Sequence, residues 1–325
     1  GSADIIIVYF RGLSNVTGSE KATCFSRPFR ISLLRRPSAC LRRVSEKEKQ
    51  EVCCVDNRPI GVFDSGLGGL TAVRELQRLL PGEDIIYFGD TARVPYGGRS
   101  RDTLVRYARQ DVAFLRTFDL KAIVIACGTV STTALDVLTE ENDIPIWGVV
   151  EPAAEAAARS TKNGLVGLIG TQATIRSGAY ERRIAAEAPG VRVLSRACPL
   201  FVPLVENGRF RPGDVVAETV AAEYLEPFQD AGVDTLVLGC THYPLLTEVI
   251  GNCMGPGVTL VNVGEKCARR VAERLGGMAA LAEPGRRGES RYYVSDSVED
   301  FSRLASIFLR QDVAAEVTQV DIWRY

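Results

Sequence analysis

Short unbroken apolar runs alternate along this chain with stretches in which apolar residues recur at every third or fourth position. The run 59–63 (PIGVF) predicts a strand, and 64–69 (DSGLGG) a glycine-rich turn. Over 70–80, Leu70, Val73, Leu76, Leu79 and Leu80 fall on one helical face, and Pro81-Gly82 stops the helix. A strand over 85–88 follows, then 89–98 (GDTARVPYGG), too rich in glycine and proline for regular structure. The pattern next predicts a helix over 103–118, a strand over 122–126, a helix through Leu138 and a strand over 143–150.

The second half repeats the plan. Strand 165–169, turn 170–172 and helix 175–186 echo the first strand, turn and helix. Strand 191–195, an irregular segment 197–208, helix 212–231 and strand 234–238 complete the echo. From Asp64 to Cys127 is 63 residues, and from Thr171 to Cys240 is 69. After Pro244 come a helix, a strand over 258–261, a helix through Leu275, a linker, a strand over 291–294 and a helix over 298–309. Continuous apolar strands alternating with helices imply an α/β fold of mostly parallel sheets covered by helices on both faces. The repeat implies two pseudo-symmetric domains, 58–151 with 261–312 and 152–260, with the site between them.

Composition narrows the function. At 325 residues the chain has room for two medium domains. Hydrophobic residues make up 46%, charged residues 24%, and the net charge is −1. That balance gives no electrostatic footprint for nucleic acid or an anionic membrane. No apolar run approaches the ~20 residues that span a bilayer. The nine cysteines form no CxxC pair, so a closed zinc site is not expected, and reduced cytosolic thiols are.

Residues 1–57 differ from the rest. Gly1-Ser2 reads as the start of a fragment, and seven basic residues with no acidic one lie between Lys21 and Arg43. The segment resembles an Arg/Ser-rich organelle transit peptide, or an extension with no core of its own.

Ligands of open α/β sheets bind beyond the carboxyl ends of the strands. Asp64, Cys127, Thr171 and Cys240 occupy such ends. A cysteine there often only packs. Here two end matching strands, and each is followed two residues on by a polar group, Thr129 or His242. The turn 64–69 opens a helix, so its amides could hold a small carboxylate. It is neither a Walker loop nor a GxGxxG fingerprint. A free thiol, with a pKa of about 8.5, is mostly protonated at pH 7, so a thiolate–thiol pair needs proton-managing neighbours. Asp64 could serve Cys127, while His242 and Glu206 could serve Cys240. Cys240-x-His242 as half of a metal site lacks further ligands, and Cys–His acyl transfer leaves Cys127 without a role.

Six segments, GVFDSGLGGLTAVRELQ, YFGDTARVPYGGRS, VIACGTVSTTALD, GLIGTQATIRSGAY, PLFVPLVENG and VLGCTHYPLL, together resemble the glutamate racemases of the aspartate/glutamate racemase family. The resemblance implies two flavodoxin-like domains facing each other, often in a cytoplasmic homodimer. It implies cofactor-independent interconversion of L- and D-glutamate for peptidoglycan. It makes Cys127 and Cys240 the acid/base pair, tuned by Asp64, Glu206 and His242, with assistance from Asp90. Ser65, Tyr96, Gly97, Gly128, Thr129 and Thr241 would join Asp64 and His242 around the substrate.

One position departs from the family. Its members read Cys-Asn-Thr where this chain reads Cys127-Gly128-Thr129. The missing amide implies a lost hydrogen bond worth about 1.5–3 kcal/mol. It also implies a wider pocket, with aspartate or another amino acid as an alternative substrate, or a binding homologue of low activity. Gly128→Asn is then expected to restore glutamate turnover.

Overall fold

A computed structural model describes residues 55–309, 313 and 316–325, so most of the expected N-terminal extension lies outside the described residues. The described chain builds two sheets. The first takes β1 (Ile60–Asp64), β2 (Ile85–Gly89), β3 (Ala122–Ile125), β4 (Ile146–Gly148), β9 (Ser290–Val294) and β10 (Val317–Gln319). Their spatial order is β10-β9-β2-β1-β3-β4. The second sheet takes β5 (Leu165–Gly170), β6 (Arg192–Ala197), β7 (Thr235–Leu238) and β8 (Thr259–Asn262), in the order β6-β5-β7-β8. Every strand pair is parallel.

The unbroken apolar runs have a direct cause. Along β1 and β2, Ile60, Val62, Ile85 and Tyr87 pack into one core cluster. Their neighbours Phe63, Ile86 and Phe88 pack into another on the opposite face. A strand buried on both faces has no solvent side on which to alternate.

The same order, second-first-third-fourth, occurs in both sheets, and each reverses direction between its first and third strands. That reversal opens a crevice beyond the carboxyl ends of the two strands. In the first sheet Phe63 pairs with Ile125, which puts Asp64 and Cys127 just past the pair. In the second, Ile169 pairs with Leu238, which puts Thr171 and Cys240 just past it.

Several local expectations need correction. The strand expected over 143–150 shrinks to β4, because the helix Val150–Ser160 takes over. Pro152 lies in its first turn, where a proline costs no helical hydrogen bond. The helix expected through Leu138 breaks at Ala134 into Gly128–Thr133 and Leu135–Glu141. Thr132 and Thr133 both donate side-chain bonds to the Thr129 carbonyl, a competition that disturbs the helical ladder. The helix over 175–186 becomes Gln172–Ser177 and Ala179–Glu187, parted by Gly178 at a left-handed φ of +61°. Residues 197–208, read as irregular, contain the helix Phe201–Glu206. The strand β10 was not foreseen.

Candidate active site

The two crevices face each other across one cavity of about 510 Å³. Ser65, Tyr96, Gly97, Cys127, Gly128 and Thr129 line it from the first half, and Glu206, Cys240, Thr241 and His242 from the second. Both cysteines are at least nine-tenths buried, at 5% and 7% exposure, and neither is in a disulfide.

Cys127 precedes the helix Gly128–Thr133, and its thiol donates to the Ser65 hydroxyl at 3.5 Å. Burial pushes this thiol up to about 12, and the charge of Asp64 pushes the same way. Asp64 lies behind the cavity wall, 1% exposed. Burial raises its carboxyl group's pKa, against the opposing charge of His242 and the N–H groups of Gly69, Gly66 and Ser65. Gly66 N–H donates to Asp64 Oδ2 at 3.0 Å. The amides of the glycine-rich turn thus hold the chain's own carboxylate, where the sequence reading gave them a ligand. Close packing explains the glycines: a Cβ on Gly69 would lie 2.5 Å from the Cβ of Asp64.

On the other side, His242 Nδ1 lies 3.9 Å from the Cys240 sulfur, and its Nε2 lies 3.1 Å from Glu206 Oε1. Burial opposes the imidazolium, but the hydrogen bonds to Cys240 and Glu206 outweigh it and push His242 up from 6.5 to about 10. The ring is therefore cationic at neutral pH. Glu206 reaches it from the last residue of the helix Phe201–Glu206, which the sequence reading missed. The signal for it was the apolar pair Phe201 and Val205 at helical spacing, both fully buried.

Tyr96 lines the cavity, but its hydroxyl is turned away, donating to Asp90 and, at 3.4 Å, to Asp111. Asp90 is fully buried, binds Arg93 at 2.5 Å and accepts from Ser295 at 2.9 Å. It is absent from the cavity lining, so its expected assistance reduces to anchoring the loop that carries Tyr96. Thr171, expected at a ligand-facing strand end, lines the cavity and shares a 3.0 Å hydrogen bond with Thr129 across the halves, while Gln172 joins the lining unforeseen.

Three further contacts stitch the seam. Ala173 N–H donates to the Gly97 carbonyl at 3.0 Å. Thr71 Oγ1 donates to the Thr241 carbonyl at 2.9 Å. Gly128 lies against the Gly239 backbone, where a Cβ would come within 2.6 Å of the carbonyl oxygen. The wider pocket expected at Gly128 is therefore absent, since the opposite half has closed onto the space a side chain would take. For the same reason the expected rescue by Gly128→Asn is withdrawn.

Among the described residues no group of His, Cys, Asp and Glu is placed to hold a metal ion. No described helix is long and apolar enough to cross a membrane. Two sulfurs from opposite halves facing one cavity can act on opposite faces of a bound carbon, one taking a proton and the other giving its own.

A family model described as Asp/Glu/Hydantoin racemase matches residues 60–270. Over 252 residues the chain is 50% identical to a glutamate racemase of Geobacter metallireducens, covering 78% of this chain and 93% of that one. A glutamate racemase of Streptococcus gordonii is 45% identical over 267 residues, covering 81% of this chain and 98% of its own. The crystal structure of a Bacillus anthracis glutamate racemase superposes with a TM-score of 0.78 at 38% identity, covering 82% of this chain and 98% of that one. A Francisella tularensis glutamate racemase in complex with D-glutamate gives a TM-score of 0.76 at 38% identity, covering 83% and 100%.

Proposed function

The chain belongs to the Asp/Glu/hydantoin racemase family, and from that premise we propose that it is an isomerase interconverting L- and D-glutamate by two-cysteine acid/base catalysis. The observation that carries the reading is the placement of Cys127 and Cys240 past matched strands of two like sheets, both lining one cavity. Inversion at a carbon needs one group to take a proton on one face and another to give a proton on the other.

The two sides are not equivalent at rest. Cys127 holds its proton, because burial and Asp64 oppose its thiolate. Cys240 faces a cationic His242, which supports its sulfur as the base. In one direction Cys240 removes the α-proton and Cys127 delivers its own to the opposite face; in the other the roles reverse. Glu206 keeps His242 charged and oriented. The substrate's carboxylates meet hydroxyl and amide groups at Ser65, Gly97, Thr129 and Thr241, since no lysine or arginine is among the lining residues described. D-glutamate made this way would supply peptidoglycan.

The test is incorporation of solvent deuterium at the α-carbon of L- and D-glutamate by purified protein without added cofactor. Exchange with both enantiomers is expected. Tight glutamate binding with no exchange of either would overturn the reading in favour of a binding homologue.

A further inference from the structure

Four residues before Gly97, outside the lining of the catalytic cavity, the chain buries an arginine. Arg93 ends the single turn Thr91–Arg93 and is 3% exposed. All three of its guanidinium nitrogens are engaged. Nε donates to Asp90 Oδ2 at 2.5 Å, Nη1 to Gln110 Oε1 at 2.5 Å and Nη2 to Asp111 Oδ1 at 2.6 Å. Gln110 and Asp111 belong to the helix Arg101–Leu115. Two fully buried carboxylates need a partner of opposite charge in fixed geometry, which the planar guanidinium fork supplies.

The same two carboxylates accept the Tyr96 hydroxyl, so Arg93 fixes the anchor of the cavity-lining loop 94–98. That loop has no strand or helix of its own to hold it. A second tie comes from far along the chain. Ile322 is buried in the turn Ile322–Arg324, whereas the neighbouring Trp323 is 64% exposed. The Arg93 guanidinium carbon lies 4.3 Å from the centre of the Tyr107 ring and 5.3 Å from that of Trp323, both within cation–π range. An indole so exposed adds little to the core, so what it offers Arg93 is its π face.

We propose that Arg93 and Trp323 are positioning residues for glutamate: through Asp90, Asp111 and Tyr96 they hold the loop 94–98 so that the Gly97 amide meets a substrate carboxylate. The proposal rests on the glutamate reading of the cavity, and neither residue lines it. A carboxylate contact is made alike in the ground and transition states, so loosening it raises KM and leaves kcat.

Glutamate binding by calorimetry and racemisation kinetics are compared for wild type, Trp323→Phe, Trp323→Leu and Arg93→Lys. Trp323→Leu should raise Kd and KM about three- to fivefold, while Trp323→Phe, which keeps a π face, stays within about twofold of wild type. Arg93→Lys keeps the charge without the fork and should raise both about tenfold or more, with kcat little changed. Equal losses in the Phe and Leu variants, a loss confined to kcat, or an unchanged Kd in Trp323→Leu overturns the proposal. A wild type that binds glutamate without α-proton exchange sinks the racemase reading alone, because Kd still decides the positioning role. A wild type that does not bind glutamate overturns both.

Discussion

A Cβ placed on Gly128 would lie 2.6 Å from the Gly239 carbonyl oxygen, so the residue after the first cysteine presses on the residue before the second. Gly239 has no room either, since a Cβ there would come 2.7 Å from the Ile169 carbonyl oxygen. Backbone meets backbone, and no flexible side chain can yield. Gly128→Asn should therefore force the halves apart. Overpacking of this kind costs about 1–3 kcal/mol. The expected outcome is a melting temperature several degrees lower and kcat/KM for glutamate reduced about tenfold or more. A variant that matched or exceeded the wild type would show that the seam is not closed at this point.

The two cysteines should fail in opposite ways. Cys127→Ser leaves Cys240 beside His242, so exchange should persist for one enantiomer while racemisation falls by ~10²–10⁴. Cys240→Ser should show the complementary preference. Proton NMR of each enantiomer in deuterated buffer reads both variants. The same enantiomer preference in both would mean that the sulfurs do not address opposite faces.

Asp64 acts on Cys127 through its charge, added to burial. Asp64→Asn should then lower the pH at which Cys127 is alkylated, measured with iodoacetamide in a Cys240→Ser background. Burial persists in the variant, so the midpoint should remain above the ordinary thiol value. An unmoved midpoint would mean that Asp64 is neutral in the native state.

Much of this was legible in the chain. The paired endings at Cys127 and Cys240 could be read because strands buried on both faces leave unbroken apolar runs, whose ends are conspicuous. The glutamate racemase resemblance and the parallel two-sheet fold came from the same segments. What could not be read was contact between the halves. Nothing in the spacing of Gly128 and Gly239 says that they touch, and an absent side chain looks like space until the opposite wall is placed. Likewise the motif brings Tyr96 to the cavity, but only packing shows its hydroxyl engaged by Asp90 and Asp111. The helix Phe201–Glu206 escaped because Pro199 precedes it and Pro203 lies in its first turn, in a segment too short for a full periodic signature.

Glu206 and His242 give the site a pH dependence of definite sign. His242 is raised from 6.5 to about 10 in the folded protein, against the pull of burial, by its bonds to Cys240 and Glu206. A raised group stabilises the fold fully below its unfolded value, and that contribution is lost as pH climbs through the folded one. Glu206→Gln removes part of the raising. Its melting temperature should thus fall furthest below the wild type near pH 6, and the gap should close towards pH 10. The alkaline limb of kcat/KM for glutamate should move to lower pH in the same variant, because the imidazolium facing Cys240 is lost earlier. A stability gap constant from pH 6 to 10, with an unshifted alkaline limb, would show that Glu206 does not hold the proton on His242.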